Sequence, residues 1–215
     1  TTSIHKLFES FGYRSYHGTK WRTCDNLKLL NEFDCFSDGI PKNIPKLDKL
    51  FPGSKYILQV RELEDWIYSR LAHIERSKAA GRFKGHKAWD NTEEAIKTWI
   101  LTRNEYHIYV LNYFKQRVSD ILIINYLRDS YAPQKVADFL SFPGTVQRPY
   151  ENINPQKQIP ANHLKMVINI IEELQLSNYE LQYDIYCPSL LNDASQKIIP
   201  YDTAFISNYY KHPKG

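Results

Sequence analysis

The chain has 215 residues, enough for a full hydrophobic core and, at its simplest, for one domain with an extension. Its net charge of +4, from 28 Lys and Arg against 24 Asp and Glu, suits an enzyme for a polyanionic nucleotide and is too small to specify a nucleic-acid binder. The three cysteines, Cys24, Cys35 and Cys187, show no CxxC pairing, which argues against a disulfide scaffold or a zinc site and makes a reducing cytoplasm the expected location; no run approaches the roughly 18 apolar residues of a membrane span.

In chain order, Ile4, Leu7, Phe8 and Phe11 mark one face of a helix over residues 1–11, and Gly12 ends it. Its hydroxyl residues Thr1, Thr2 and Ser3 would meet an anion with backbone N–H groups and the positive end of the dipole, although Thr and Ser are also ordinary N-caps. A short strand is predicted over Tyr13 to Tyr16 and a helix over Asp25 to Glu32 with Asp25 as its cap. The turn cluster of Gly39, Pro41 and Pro45 follows, and Ile44 to Leu50 reads as a helix.

Tyr56 to Val60 reads as a short buried strand after the Pro52-Gly53 turn, with Arg61 at its carboxyl end and an amphipathic helix over Leu63 to Ala80. The carboxyl edge of an open α/β sheet is where ligands bind, so Arg61 and Ser69 together form a candidate phosphate clamp. The plainer alternative is that Arg61 caps Glu64 or Asp65 and Ser69 is an ordinary helix residue. Gly81 to Trp89 is a basic loop, Thr92 to Gln116 a long helix, Ile121 to Tyr126 a strand and Ala161 to Leu174 a helix. Alternating helices and short apolar strands argue a parallel α/β sheet.

With these residues in view, the chain resembles the P-loop sulfotransferases that use 3′-phosphoadenosine 5′-phosphosulfate (PAPS), particularly bacterial members with a Gly-Thr-Thr-Ser-Leu helix start followed by Gly-Tyr. Thr1, Thr2 and Ser3, with Gly12 and Tyr13 after them, match the second half of that phosphate loop. Val60, Arg61, Trp66 and Ser69 match the family's Val-Arg strand end and following helix. The match runs to about Asn154, through a strand ending near Tyr126 and a Phe-Leu-x-x-Pro helix over Val136 to Pro143. The family's glycine-rich basic loop has no counterpart beyond the fragment Lys211 to Gly215, and its Lys/Arg-x-Gly and first strand do not precede Thr1.

The resemblance implies a sulfotransferase-like α/β core over residues 1–154, a helical or irregular extension over 155–215, and a further apolar strand upstream of Thr1. It implies that Arg61 and Ser69 bind the 3′-phosphate, that Thr1, Thr2 and Ser3 bind the 5′-side phosphate, and that Tyr126 borders the adenine. The expected reaction moves a sulfuryl group from PAPS to a hydroxyl or amine of a small molecule or carbohydrate, without a metal; some of the 16 Tyr and 4 Trp could line a carbohydrate or aromatic-acceptor cleft, most of them being core and surface packing. His17 and Asp38 are the candidate bases, with Glu9 and Asp25 behind them, and the bland roles of the first two are a turn histidine and an Asx-turn before Gly39. A nucleotide-dependent phosphotransferase, with Asp129 on Mg²⁺, and a non-catalytic nucleotide-binding protein of the same fold are the alternatives.

Overall fold

The computed structural model describes residues 2–61, 63–82, 91–127, 130–147 and 161–173. In chain order these form α1 (Thr2–Ser10), β1 (Ser15–His17), α2 (Leu27–Glu32), β2 (Cys35–Ser37), α3 (Ile44–Leu50), β3 (Tyr56–Gln59), α4 (Leu63–Ala79), α5 (Glu93–Phe114), a 3₁₀ turn (Val118–Asp120), β4 (Ile121–Ile124), α6 (Ala132–Phe139) and α7 (Ala161–Glu173). The chain is of the general α/β class. Among the described residues its strands make two separate two-stranded sheets, β1 with β2 and β3 with β4.

Those residues fall into two compact units, one of 2–56 and 130–147 and the other of 57–127 and 161–173. In the first, β1 and β2 run parallel, with Ser15 opposite Cys35, Tyr16 opposite Phe36 and His17 opposite Ser37. Because side chains alternate across a strand, Tyr16 and Phe36 share one face, where they join Trp21, Cys24, Leu30, Leu47 and Phe51 in an aromatic-rich core. The other face of the pair receives α1, whose Ile4, Leu7 and Phe8 are buried.

Left-handed residues decide where α1 and α6 stop. Gly12, at φ 83°, lets Tyr13 N–H reach Phe8 C=O at 3.1 Å and Gly12 N–H reach Glu9 C=O at 2.9 Å, the paired bonds of a Schellman ending. The same pair closes α6, with Ser141 at φ 56° in the glycine position, and the helix therefore ends at Phe139, short of Pro143. It also begins earlier than the family pattern suggests, at Ala132, since Pro133 is compatible with a first turn. The cap of α2 is Asn26, whose side chain accepts from Leu29 N–H, rather than Asp25; the Asp25 carboxylate is held instead by Lys46 Nζ at 2.8 Å.

The second unit is built on α4, α5 and α7. Ile67, Leu71 and Ile74 of α4, Ile96, Trp99 and Ile100 of α5, and Val167 and Ile170 of α7 form its buried cluster. The spacing of three and four residues on α4 and α5 is what brings each set to one face. Beside them Ile121, Ile123 and Ile124 of β4 are buried, and Val60 N–H donates to Ile124 C=O at 2.8 Å, so pairing continues one residue past β3. Lys97 on α5 bridges Glu93 at 3.1 Å and Glu173 of α7 at 2.5 Å.

Candidate functional site

The carboxyl ends of β1 and β2 carry a polar cluster in the first unit. His17 and Ser37 are register partners, so the parallel pairing alone places imidazole and hydroxyl side by side, with His17 Nδ1 3.0 Å from Ser37 Oγ. Ser37 is 7% exposed, whereas His17 is exposed. His5, from the first turns of α1, stacks on the His17 ring at 5.2 Å between centroids and 20° between planes. Its Nδ1 lies 2.8 Å from Ser15 Oγ, and its Nε2 lies 3.5 Å from Glu9 Oε1 on the next turn of the helix. Glu9 also accepts from Lys6 Nζ at 2.8 Å, a contact that holds its carboxyl below the usual range.

Burial against this cluster lowers the His17 imidazole from its ordinary value; Asp38 opposes the shift and His5 adds to it. The ring keeps exposed surface, and water screens part of the effect. The shift favours the uncharged ring. Asp38 follows β2 at φ 72°, a left-handed conformation that Asp tolerates better than most residues, and Gly39 follows at φ 107°. A Cβ on Gly39 would come within 2.5 Å of Arg22 Cδ, and Arg22 is tied across the turn by its Nε to Ile40 C=O at 3.0 Å. The turn that presents Asp38 thus needs glycine next to it.

In the second unit, Arg61 follows the β3–β4 pairing by one residue, and α4 starts two residues later. The Arg61 carbonyl accepts from Arg103 Nη2 of α5 at 2.7 Å. The Arg103 guanidinium lies 5.7 Å from the Trp66 ring centre, and Arg70 lies 5.7 Å from the same ring and 4.5 Å from Trp99. Two cations on one indole form a partly desolvated stack, and burial lowers the Arg70 guanidinium from its ordinary value. His107, one turn beyond Arg103 and 6% exposed, is driven well below its ordinary value by burial and then by the Arg103 charge.

Ser69 sits half-buried on α4, six residues into the helix, about 9 Å along its axis at 1.5 Å per residue. An anion shared by Arg61 and Ser69 would lie along the flank of α4 rather than on its first turn. Tyr126 is 3% exposed, two residues after β4.

Of the anticipated residues, Thr2 and Ser3 open α1 and belong with His17 and Asp38 to the first unit, while Arg61, Ser69 and Tyr126 belong to the second. Thr1 and Asp129 lie outside the described residues, as do most of the basic loop after Gly81 and the fragment from Lys211. His5, Ser15, Ser37 and Arg103 were not anticipated. The alternation of β1 and β2 contained the signal for Ser37, but using it requires the register between two strands of three residues, which no local pattern supplies. No family model, curated protein or solved structure matches the chain.

Proposed function

We propose that the chain is a sulfotransferase that moves a sulfuryl group from PAPS to a hydroxyl or amine of a small-molecule or carbohydrate acceptor. What supports this most is the strand-to-helix segment around Arg61: β3 pairing ends at Val60, Arg61 follows, and α4 carries Ser69 at the spacing that the sulfotransferase motif requires. In this reading Arg61 and Ser69 hold the 3′-phosphate of the nucleotide, Thr1, Thr2 and Ser3 the 5′-side phosphate, and Tyr126 borders the adenine. His17 and Asp38 are the candidates for the base that takes the acceptor proton.

Sulfuryl transfer resembles phosphoryl transfer in its loose transition state, so positioning and charge stabilisation carry much of the rate. A base for the acceptor proton contributes typically about 10²–10⁴-fold. Titration calorimetry with adenosine 3′,5′-bisphosphate and with ATP, each with and without Mg²⁺, tests the reading directly. Strong preference for the bisphosphate without Mg²⁺ is expected. Preference for ATP with Mg²⁺ would replace the reading with a phosphotransferase, and binding of neither would remove both.

A further inference from the structure

We infer that Ser37 is a positioning residue that fixes His17 in the tautomer with its proton on Nε2, so that His17 meets its ligand as a hydrogen-bond donor while Asp38 is the proton acceptor. The inference rests on the sulfotransferase reading for the chemistry of that ligand, and on the proton inventory of the cluster for the tautomer.

That inventory is short. Among the described residues the Ser37 hydroxyl has one partner, His17 Nδ1 at 3.0 Å, and the side chain is buried. A serine hydroxyl carries one proton to donate and two lone pairs to accept with. If Nδ1 carried the imidazole proton, it would donate to Ser37 Oγ and leave the serine proton buried with no acceptor. An orphaned buried donor is penalised more heavily than an unused lone pair. If Ser37 donates to Nδ1 instead, the buried serine proton is used, and the ring proton sits on Nε2 of a residue that is itself exposed. On the stacked ring of His5, Nε2 faces the Glu9 carboxylate, which can only accept, and Nδ1 lies against Ser15 Oγ.

A His17 with its proton on Nε2 is a poor base and a good donor. Asp38 follows Ser37, the register partner of His17, and its carboxylate makes no hydrogen bond among the described residues, whereas the Glu9 carboxylate of the same cluster is engaged by Lys6 and His5. In the transfer step the acceptor oxygen forms a bond to sulfur, its proton passes to the Asp38 carboxylate, and the bond from sulfur to the bridging phosphate oxygen breaks. The electron pair of that bond leaves with adenosine 3′,5′-bisphosphate. The His17 Nε2–H donates to a non-bridging sulfuryl oxygen throughout and is not consumed.

Long-range ¹H–¹⁵N correlation spectra of the ¹⁵N-labelled full chain read the tautomer without any substrate. At about pH 8, above the ordinary histidine value, His17 should show an unprotonated Nδ1 and a protonated Nε2. A protonated Nδ1 would overturn the inference and return the base role to His17. In Ser37→Ala the two nitrogen shifts should move toward each other as the lock is lost, and Ser37→Thr, which keeps the hydroxyl, should restore them; unchanged shifts in folded Ser37→Ala would show that Ser37 has no such role. Should Ser37→Ala not fold, the spectrum of the unsubstituted chain still decides the tautomer. With labelled PAPS, Ser37→Ala should lower kcat and leave the KM for PAPS near its starting value. A chain that holds this tautomer yet binds no nucleotide overturns the sulfotransferase reading and leaves the Ser37 assignment standing.

Discussion

Each residue of the proposed site is asked to do one thing, and the energies differ accordingly. Arg61 is the charged partner of a phosphate, so Arg61→Ala should weaken binding of adenosine 3′,5′-bisphosphate by about 2–5 kcal/mol. Ser69 offers one neutral hydroxyl, and Ser69→Ala should cost about 0.5–2 kcal/mol. Calorimetry on the folded variants reads both, and unchanged affinity in Arg61→Ala removes that residue from the site. Asp38→Asn keeps size and shape but cannot take the acceptor proton, so sulfuryl transfer should fall by about 10²-fold or more with nucleotide affinity unaltered. Full turnover in that variant would exclude Asp38 as the base.

Among the elements, β1 and β2 have only three residues each, too few for their ladder to hold them alone. Their amino ends are fastened by Arg14 and Asp34. Arg14 gives Asp34 a backbone N–H at 2.9 Å and two guanidinium bonds at 3.1 and 2.8 Å, a fork that holds the Asp34 carboxyl down at about 2. Both side chains are well exposed, so solvent screening keeps the contribution of the pair small. Because the folded value lies below the unfolded one, this contribution is present above about pH 4 and disappears as pH falls through about 2. Arg14→Ala should lower the denaturation midpoint at pH 7 and narrow the difference from the unsubstituted chain at pH 2. A constant difference across that range would mean that Arg14 acts through packing.

Nearer neutral pH, a buried histidine adds acid sensitivity to the fold. His107 is held neutral by burial and by Arg103, and His17 is lowered in the same direction. A folded value below the unfolded 6.5 means that the unfolded chain binds the proton first, so stability is complete above about pH 6.5 and declines as pH falls below it. One such group gives a slope of up to about 1.4 kcal/mol per pH unit. Thermal melts from about pH 8 to about pH 5, a range that brackets the ordinary histidine value, should show a falling midpoint, and His107→Gln should flatten the decline. A midpoint independent of pH in the unsubstituted chain would contradict the burial of a neutral imidazole.

Local chemistry written in the chain was sufficient for the α3 span, for Gly12 as a helix stop, for the Arg61 strand end and for α4 and α5, because apolar spacing and glycine φ preferences act within a few residues. It was insufficient where a nearby residue competed, as Asn26 did with Asp25 for the α2 cap, or where Pro133 permitted an earlier start to α6. His17 was legible as a polar residue at a strand end; what it pairs with was not. Ser37, His5 and Ser15 are 20, 12 and 2 residues away from it in sequence and meet it or its stacked neighbour only through the β1–β2 register and the docking of α1. Likewise Arg103 reaches the Arg61 carbonyl across 42 residues, through α5 packing on α4. Periodicity sets which face of an element is apolar, whereas register and helix docking are fixed by the burial of many side chains at once, so they were decided only in the tertiary structure.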